Sequence, residues 1–327
     1  MAQPPALLEQ PADILRFLRD EHAAGRGCAL LVVIGLSGGS MRQVGSLAAV
    51  SETGVMAGYI SNGCIDADII LHAKSVLETG KPKTLRYGAG SPFIDLQLPC
   101  GGSIDLLIDP APDAAALVET LDRLEARKAA PVSFSKTLGL IGPGAGDADL
   151  HVTLEPGLRL VLAGRGPSLL AVAQQGLAAD MDVAAASPVD EERAALAAIG
   201  ASEAFALSSP SDAVDITADP WTAVVLLFHD HVWEPKILSA AAKTDAFYIG
   251  CMGSQRTHEA RKLMLEAEGL APDQIARIRG PIGVVPAMRS AHTLGSSVLA
   301  EIIAVSQDRR DSVTADHTDQ ALTGQTT

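Results

Sequence analysis

The spacing of apolar and polar positions gives the chain two successive rhythms. From Pro11 to His22, Ile14, Leu15 and Leu18 recur on one face at helical spacing, and Gly25 supplies a stop. The run CALLVVIG (28–35) is short, apolar throughout and bounded by glycines, which predicts a buried strand. A Gly/Ser-rich loop, LSGGSMRQVGS (36–46), follows it. LAAV and VMAGYI flank Glu52-Thr53-Gly54 and read as a hairpin. SNGC (61–64) leads into a helix over about Ile65 to Glu78, ended by Gly80 and Pro82. Extended runs are predicted around Leu85, over FIDLQL and over SIDLLID, with PCGG (99–102) between the last two. A helix near Asp113–Lys128 and a strand near Val132–Lys136 complete this half.

Over IGPGAGDADLHVTLEPG (141–157) the composition turns to Gly, Pro and Asp, and the domain boundary is expected there. Beyond it, strand and helix alternate. LRLVLAG (158–164), MDVAAAS (181–187), WTAVVLLF (221–228) and AFYIG (246–250) are the strands. Helices are predicted over Pro167–Ala179, Asp190–Ile199 and roughly Thr293–Val305. Apolar strands alternating with helices indicate a parallel sheet covered on both faces. The expected class is α/β: an amino-terminal α/β domain with a mixed sheet over 1–145, then a doubly wound parallel sheet over 157–306. The polar tail 307–327 is expected to be disordered.

Composition narrows the function. Of 327 residues, 47% are hydrophobic but only 3% aromatic, so the cores are built from small aliphatic side chains and offer no stacking platform for bases. The formal charge of −14, from 39 acidic and 25 basic residues, argues against an extended nucleic-acid footprint, which needs concentrated positive charge. A small anion remains compatible, because backbone N–H groups can hold it. Met1 to Gln10 lacks a basic region followed by an apolar one, so no secretory leader is expected. The longest apolar runs, such as Cys28–Ile34 and Thr222–Phe228, fall short of the ~20 residues that span a bilayer. The cytoplasm is therefore the expected compartment. Cys28, Cys64, Cys100 and Cys251 form no C-x-x-C pair, which speaks against a disulfide framework or a structural zinc site.

Four motifs carry candidate chemistry. AGRGPS (163–168) follows a strand and opens a helix, where Gly164 and Gly166 would present N–H groups to a phosphate. Leu169 stands in place of a third glycine, and the second strand ends in Ala186-Ser187-Pro188 with no acid for a ribose hydroxyl, so a tight structural turn is the favoured reading. SNGC and PCGG each set a cysteine against glycine: Gly63-Cys64 and Cys100-Gly101-Gly102. Cys64 would sit near a helix N-terminus, where thiolate is favoured and a soft metal or sulfur could be held; the alternative is two small buried residues. FHDH (228–231) ends a strand at the edge where open parallel sheets bind ligands. His229, Asp230 and His231 suit proton transfer, metal ligation or phosphate binding, or Asp230 merely caps the next helix. In GCMGSQRTHEARKL (250–263), Gly253-Ser254 and Arg256 open a helix and suit either anion binding or ordinary capping.

The order of these segments is more specific than any one. GSMRQVGSLAAVSETGVMAGYISNGCIDADII and CGGSIDLLIDP resemble the amino-terminal domain of the XdhC/CoxI family. TAVVLLFHDHVWEPKIL, AFYIGCMGSQRT and RGPIGVVPAMRSAHTLGSSVLAEIIA are similar to its carboxy-terminal Rossmann-like domain. The resemblance implies an accessory chaperone that binds molybdenum cofactor (molybdopterin or molybdopterin cytosine dinucleotide). It further implies that the protein supports sulfuration by a cysteine desulfurase and inserts the cofactor into a xanthine-oxidase-family molybdoenzyme. A homodimer is also implied. Cys100 and Cys64 match the family's glycine-flanked cysteines and become the expected molybdenum contacts, with Arg42, Gly45 and Gly63 in the loops around them. Asn62 replaces a family glycine, and Gly164-Arg165-Gly166-Pro167 with Ser187 departs from the family's Gly-x-Gly-His and later Asp. Two other classes compete: an NAD(P)-dependent oxidoreductase using the second domain, and a permanent subunit of a molybdoenzyme. A chaperone, rather than a catalyst, is the expected reading.

Overall fold

The computed structural model describes residues 8–39, 42–91, 98, 101–210, 216–230 and 232–323, with side chains to 309. It divides the chain into Met1–Pro156 and Gly157–Thr327.

In the first unit, α1 (Pro11–Ala23) precedes β1 (Cys28–Ser37), β2 (Leu47–Ser51) and β3 (Met56–Ala57). Then come α2 (Asp66–Thr79), β4 (Lys83–Gly88), β5 (Ser103–Asp109), α3 (Ala114–Glu125), β6 (Ala130–Ser135), β7 (Gly139–Ile141) and β8 (Leu150–Leu154). The central sheet runs β3-β2-β1-β5-β4, and all of its pairings are antiparallel. The sheet is thus antiparallel where a mixed one was expected; a row of apolar strands does not encode their direction.

β1 is apolar from Cys28 to Ile34, and its first six residues are buried because both faces are covered. Leu30 and Val32 pack with Ile14, Leu15 and Leu18 of α1 and Leu117 and Leu121 of α3. Leu31 and Val33 pack on the other side with Ile69 and Val76 of α2 and Tyr87. The two-residue period of a strand sends alternate side chains to these two cores. Asp113 caps α3 by accepting a hydrogen bond from the Ala116 N–H at 2.8 Å, and Gly80 ends α2 in the left-handed conformation.

β6, β7 and β8 form a separate antiparallel sheet, β7-β6-β8. β8 falls in the Gly/Pro/Asp-rich stretch that suggested a boundary, and it packs within the first unit. Asp109, at the end of β5, accepts hydrogen bonds from Leu140 N at 2.7 Å and Ala111 N at 3.0 Å. Burial pushes the Asp109 carboxyl upward, and these two N–H donors oppose the shift.

The second unit contains β9 (Arg159–Gly164), α4 (Pro167–Ala178), β10 (Asp182–Ser187), α5 (Asp190–Ala198), β11 (Glu203–Ala206) and β12 (Thr222–Leu227). It continues with α6 (Glu234–Ala241), β13 (Tyr248–Cys251), α7 (Gln255–Ala267), α8 (Pro272–Ala276), β14 (Ile278–Arg279) and α9 (Ala291–Thr323). The sheet order is β11-β10-β9-β12-β13-β14, parallel throughout, which is the doubly wound order expected from the alternating rhythm. Leu160, Leu162 and Val225 face a core shared with α4 and α9, whereas Ala163, Val224 and Leu226 face the core under α6. α9 approaches α4 closely at Gly295, where a Cβ would stand 3.0 Å from the Ala171 carbonyl oxygen. That helix continues to Thr323, past the point where a disordered tail was expected.

Candidate functional site

Glycine-bearing turns in each unit hold most of the described residues among those singled out above.

In the first unit, the end of β1 meets the start of β5. Ser37 and Ser103 are hydrogen-bonded through their hydroxyls at 2.8 Å. A Cβ on Gly38 would lie 2.9 Å from the Gly102 Cα, and one on Gly102 would collide with the Ser37 carbonyl oxygen. Ala89 N–H, just past β4, donates to the Gly102 carbonyl at 3.1 Å, and Gly101 N–H donates to Leu98 at 2.9 Å. Gly102 is buried by this packing, while Gly101 is exposed in the left-handed region at φ 70°. Cys100 and the FIDLQL run, except Leu98, lie outside the described residues.

Cys64 is exposed, two residues before α2, on a turn in which Gly63 has φ 92°. Ser61 organises that turn: its hydroxyl donates to Asp66 at 2.7 Å and accepts from Gly63 N at 3.1 Å and Ile65 N at 3.3 Å. Arg42 lies over the Tyr59 ring at 4.6 Å and donates to the Leu47 carbonyl at 3.2 Å. Tyr59 in turn donates to Glu9 at 2.5 Å. Gly45 is buried at φ 87°, and a Cβ there would stand 3.0 Å from Val152 of β8. The Gly45 position therefore serves close packing. The remaining thiols differ sharply from Cys64. Cys28 and Cys251 are buried, and desolvation pushes each up to about 12, which keeps them protonated and inert. No group of three or more His, Cys, Asp or Glu suited to holding a metal occurs among the described residues.

In the second unit, the strand order reverses between β9 and β12, and Gly164, Gly166, His229 and Asp230 stand at their carboxyl ends. Gly164 is a packing glycine: a Cβ would lie 2.7 Å from Leu227 Cβ on the neighbouring strand. Gly166 has φ 79°, opens α4, and has no atom within 4 Å of where a Cβ would be. Its N–H donates to Glu192 at 2.6 Å, and the other oxygen of Glu192 accepts from the Ser187 hydroxyl at 2.6 Å. The acid that the end of β10 lacks is thus brought in from the first turn of α5. Sequence reasoning passed over Glu192, although its position 26 residues beyond Gly166 was the available signal.

Asp230 forms an ion pair with Arg165 and leaves its other oxygen shielded, without a hydrogen-bond partner among the described residues. It does not cap α6, whose N-cap is Trp233. His229 is exposed, and His231 lies outside the described residues. Phe228 is buried and stacks on Trp233 with centroids 5.9 Å apart. At the end of β13, Ser254 caps α7 by accepting from Thr257 N at 3.2 Å, beside an exposed Gly253 and Arg256. Behind this turn, Arg261 and Glu234 form an ion pair at 2.8 Å with each side chain 1% exposed, and Arg261 also donates to the Met252 carbonyl at 2.9 Å. A cavity of about 690 Å³ opens elsewhere in the unit, lined by Val161, Ala163, Ala184, Phe205 and Ile216 among others. It contains none of the predicted site residues.

An antiparallel α/β unit followed by a unit with Rossmann strand order and a glycine turn at its switch point defines a two-part, nucleotide-fold protein class. Comparison makes the assignment specific. The XdhC and CoxI family model matches residues 22–88, and the XdhC Rossmann domain model matches residues 160–302. The chain is 33% identical over 306 residues to the molybdenum cofactor insertion chaperone PaoD of Escherichia coli K12, covering 91% of this chain and 90% of that protein. The crystal structure of a xanthine dehydrogenase from Bacillus halodurans shares the fold with a TM-score of 0.73 at 20% identity, over 90% of this chain and 96% of the other. This chain belongs to the XdhC/CoxI family. No helix among the described residues is long and apolar enough to cross a membrane.

Proposed function

We propose that this protein is a molybdenum cofactor insertion chaperone that seats its cargo on the glycine-rich edge of the first unit and releases it to a molybdoenzyme. The observation that carries this reading is the contrast among the thiols: Cys64 stands exposed on a glycine turn, while Cys28 and Cys251 are sealed in apolar packing. A pterin dithiolene with a phosphate tail calls for N–H donors, a flat approach and one soft anchor. Glycine turns at Gly63 and Gly101 supply the first two, and Cys64 with Cys100 supply the third. Arg42, anchored on Tyr59, is the nearby cation for the phosphate. Exchange requires a seat that is not a closed ligand cage, and two thiols from separate stretches of the sequence meet that need.

In the same reading the client is a xanthine-oxidase-family enzyme. A cysteine desulfurase supplies sulfur while the cargo is held, the cargo is the pterin or its cytosine dinucleotide, and two copies of the chain associate. Likeness to PaoD supports the chaperone role.

Anaerobic purification followed by molybdenum analysis and identification of the oxidised pterin tests the proposal. Cargo should co-purify with the parent and fall several-fold in Cys100→Ala and Cys64→Ala without a matching drop in Tm. Equal molybdenum and pterin in parent and variants would remove both cysteines from the seat.

A further inference from the structure

We propose that the switch-point crevice of the second unit recognises a ribonucleotide through its free 2′,3′-diol, with Glu192 as the residue that reads the sugar. This goes beyond the cargo seat of the first unit and does not rest on it.

The carboxylate of Glu192 lies between the tips of β9 and β10, tethered at one oxygen by Gly166 N–H and at the other by the Ser187 hydroxyl, each at 2.6 Å. Ser187 is itself fixed, its hydroxyl accepting from Val189 N at 3.1 Å and its carbonyl from Arg193 at 2.7 Å. Each carboxylate oxygen can accept more than one hydrogen bond, so two vicinal hydroxyls can be received without breaking the tethers. In doubly wound folds an acid about 20 residues beyond the glycine turn binds the ribose. Here that acid stands 26 residues beyond Gly166 and reaches the same edge from a helix.

Two further observations mark the crevice as open to a ligand. No atom stands within 4 Å of a Cβ placed on Gly166. Across the crevice, the second oxygen of Asp230 is shielded from water with no hydrogen-bond partner among the described residues, while the first is held by Arg165. A shielded acceptor left unpaired is uncommon and is satisfied by a ligand donor.

The phosphate side of the crevice is weaker. Pro167 removes an N–H at the first helical position, and Leu169, fully buried, fills the third-glycine place. Selectivity therefore resides in the sugar. A 2′-phosphate would meet the Glu192 charge, and a 2′-deoxy sugar would forgo a hydrogen bond to that carboxylate.

Calorimetry and tryptophan fluorescence on the full chain, titrated with NADH, NADPH, CDP and 2′-deoxy-CDP, decide the matter. NADH or CDP should saturate, with its counterpart lacking a free 2′-hydroxyl binding at least about tenfold more weakly. Saturation by NADH alone assigns a dinucleotide, and by CDP alone a pyrimidine nucleotide; either supports the proposal. Glu192→Gln should erase the discrimination. Glu192→Asp, which keeps the charge but withdraws it by one methylene, should weaken the ribonucleotide while leaving Tm near the parent's. Absence of saturation by both ribonucleotides at millimolar concentration, or discrimination unchanged in both variants, would overturn it. Cofactor retention is read on the cysteine variants and sugar discrimination on Glu192, so the two proposals fail separately.

Discussion

The two glycine-bearing edges use the same residue for opposite ends. In the first unit, Gly38 and Gly102 let backbones touch, and the space a side chain would need is already taken by main-chain atoms. In the second unit the tasks are divided: Gly164 packs against Leu227, while Gly166 faces empty space and spends its positive-φ conformation on aiming an N–H at Glu192. The bracing differs as well. The first edge is held by main-chain packing and a serine pair, the second by an ion pair buried behind the β13 turn. A glycine in a sequence therefore announces a constraint without saying whether it is closeness or curvature.

The buried pair gives the largest expected effect. Arg261→Met should destabilise the second unit by about 3–5 kcal/mol, because the buried Glu234 carboxylate would lose its guanidinium partner in the interior. Urea unfolding measures this, and a loss under 1 kcal/mol, a bound set by the ~0–1 kcal/mol of exposed pairs, would show that water reaches the site.

Glycine replacements sharpen the contrast between the edges. Gly102→Ala should cost about 1–3 kcal/mol or more through overpacking against Ser37. Gly166→Ala should cost less, about 1–3 kcal/mol, from its positive-φ backbone alone (φ 79°, ψ −169°), a conformation that favours glycine. Equal losses would show that the two edges obey one rule.

The smallest effect concerns acid. His258 is buried, and desolvation, followed by the charges of Lys262 and Arg261, lowers its pKa below the ordinary histidine value. The folded state thus resists protonation that the unfolded chain accepts. The sign follows: this contribution is complete above the ordinary histidine pKa and is lost as pH falls through the depressed one. His258→Gln should flatten the decline in Tm between about pH 7 and pH 5, the range in which an ordinary histidine titrates. An unchanged slope would place the acid sensitivity elsewhere.

Much of the fold was legible because burial imposes pattern. β1, β9 and β12 are apolar runs since both faces are covered, and α1 shows its stripe since only one face is. Strand direction was not legible, which is why the first sheet was expected to be mixed. β8 was overlooked among glycines and aspartates, although Leu150, Val152 and Leu154 alternate with His151 and Thr153. At the site, the place of Cys64 just before α2 and capping by Ser254 were among the readings that local spacing offered, whereas the exposure of Cys64 was not legible. Glu192 escaped because an acid was sought at the strand end and arrives from the next helix. Gly45 and Gly164 were read as ligand-facing and prove to be packing positions, a distinction set by neighbours far along the chain.

The β6–β8 pairing also decides how the chain can be dissected. Residues 150–154 look from composition like dispensable connector, yet Leu154 is buried in the first core, where Leu150 and Val152 pack beside Val132 and Phe134. A fragment ending near residue 145 would expose β6 along one edge as an unsatisfied strand, an invitation to self-association. Any scissile site, tag or crystallisation truncation that respects the architecture belongs after Pro156.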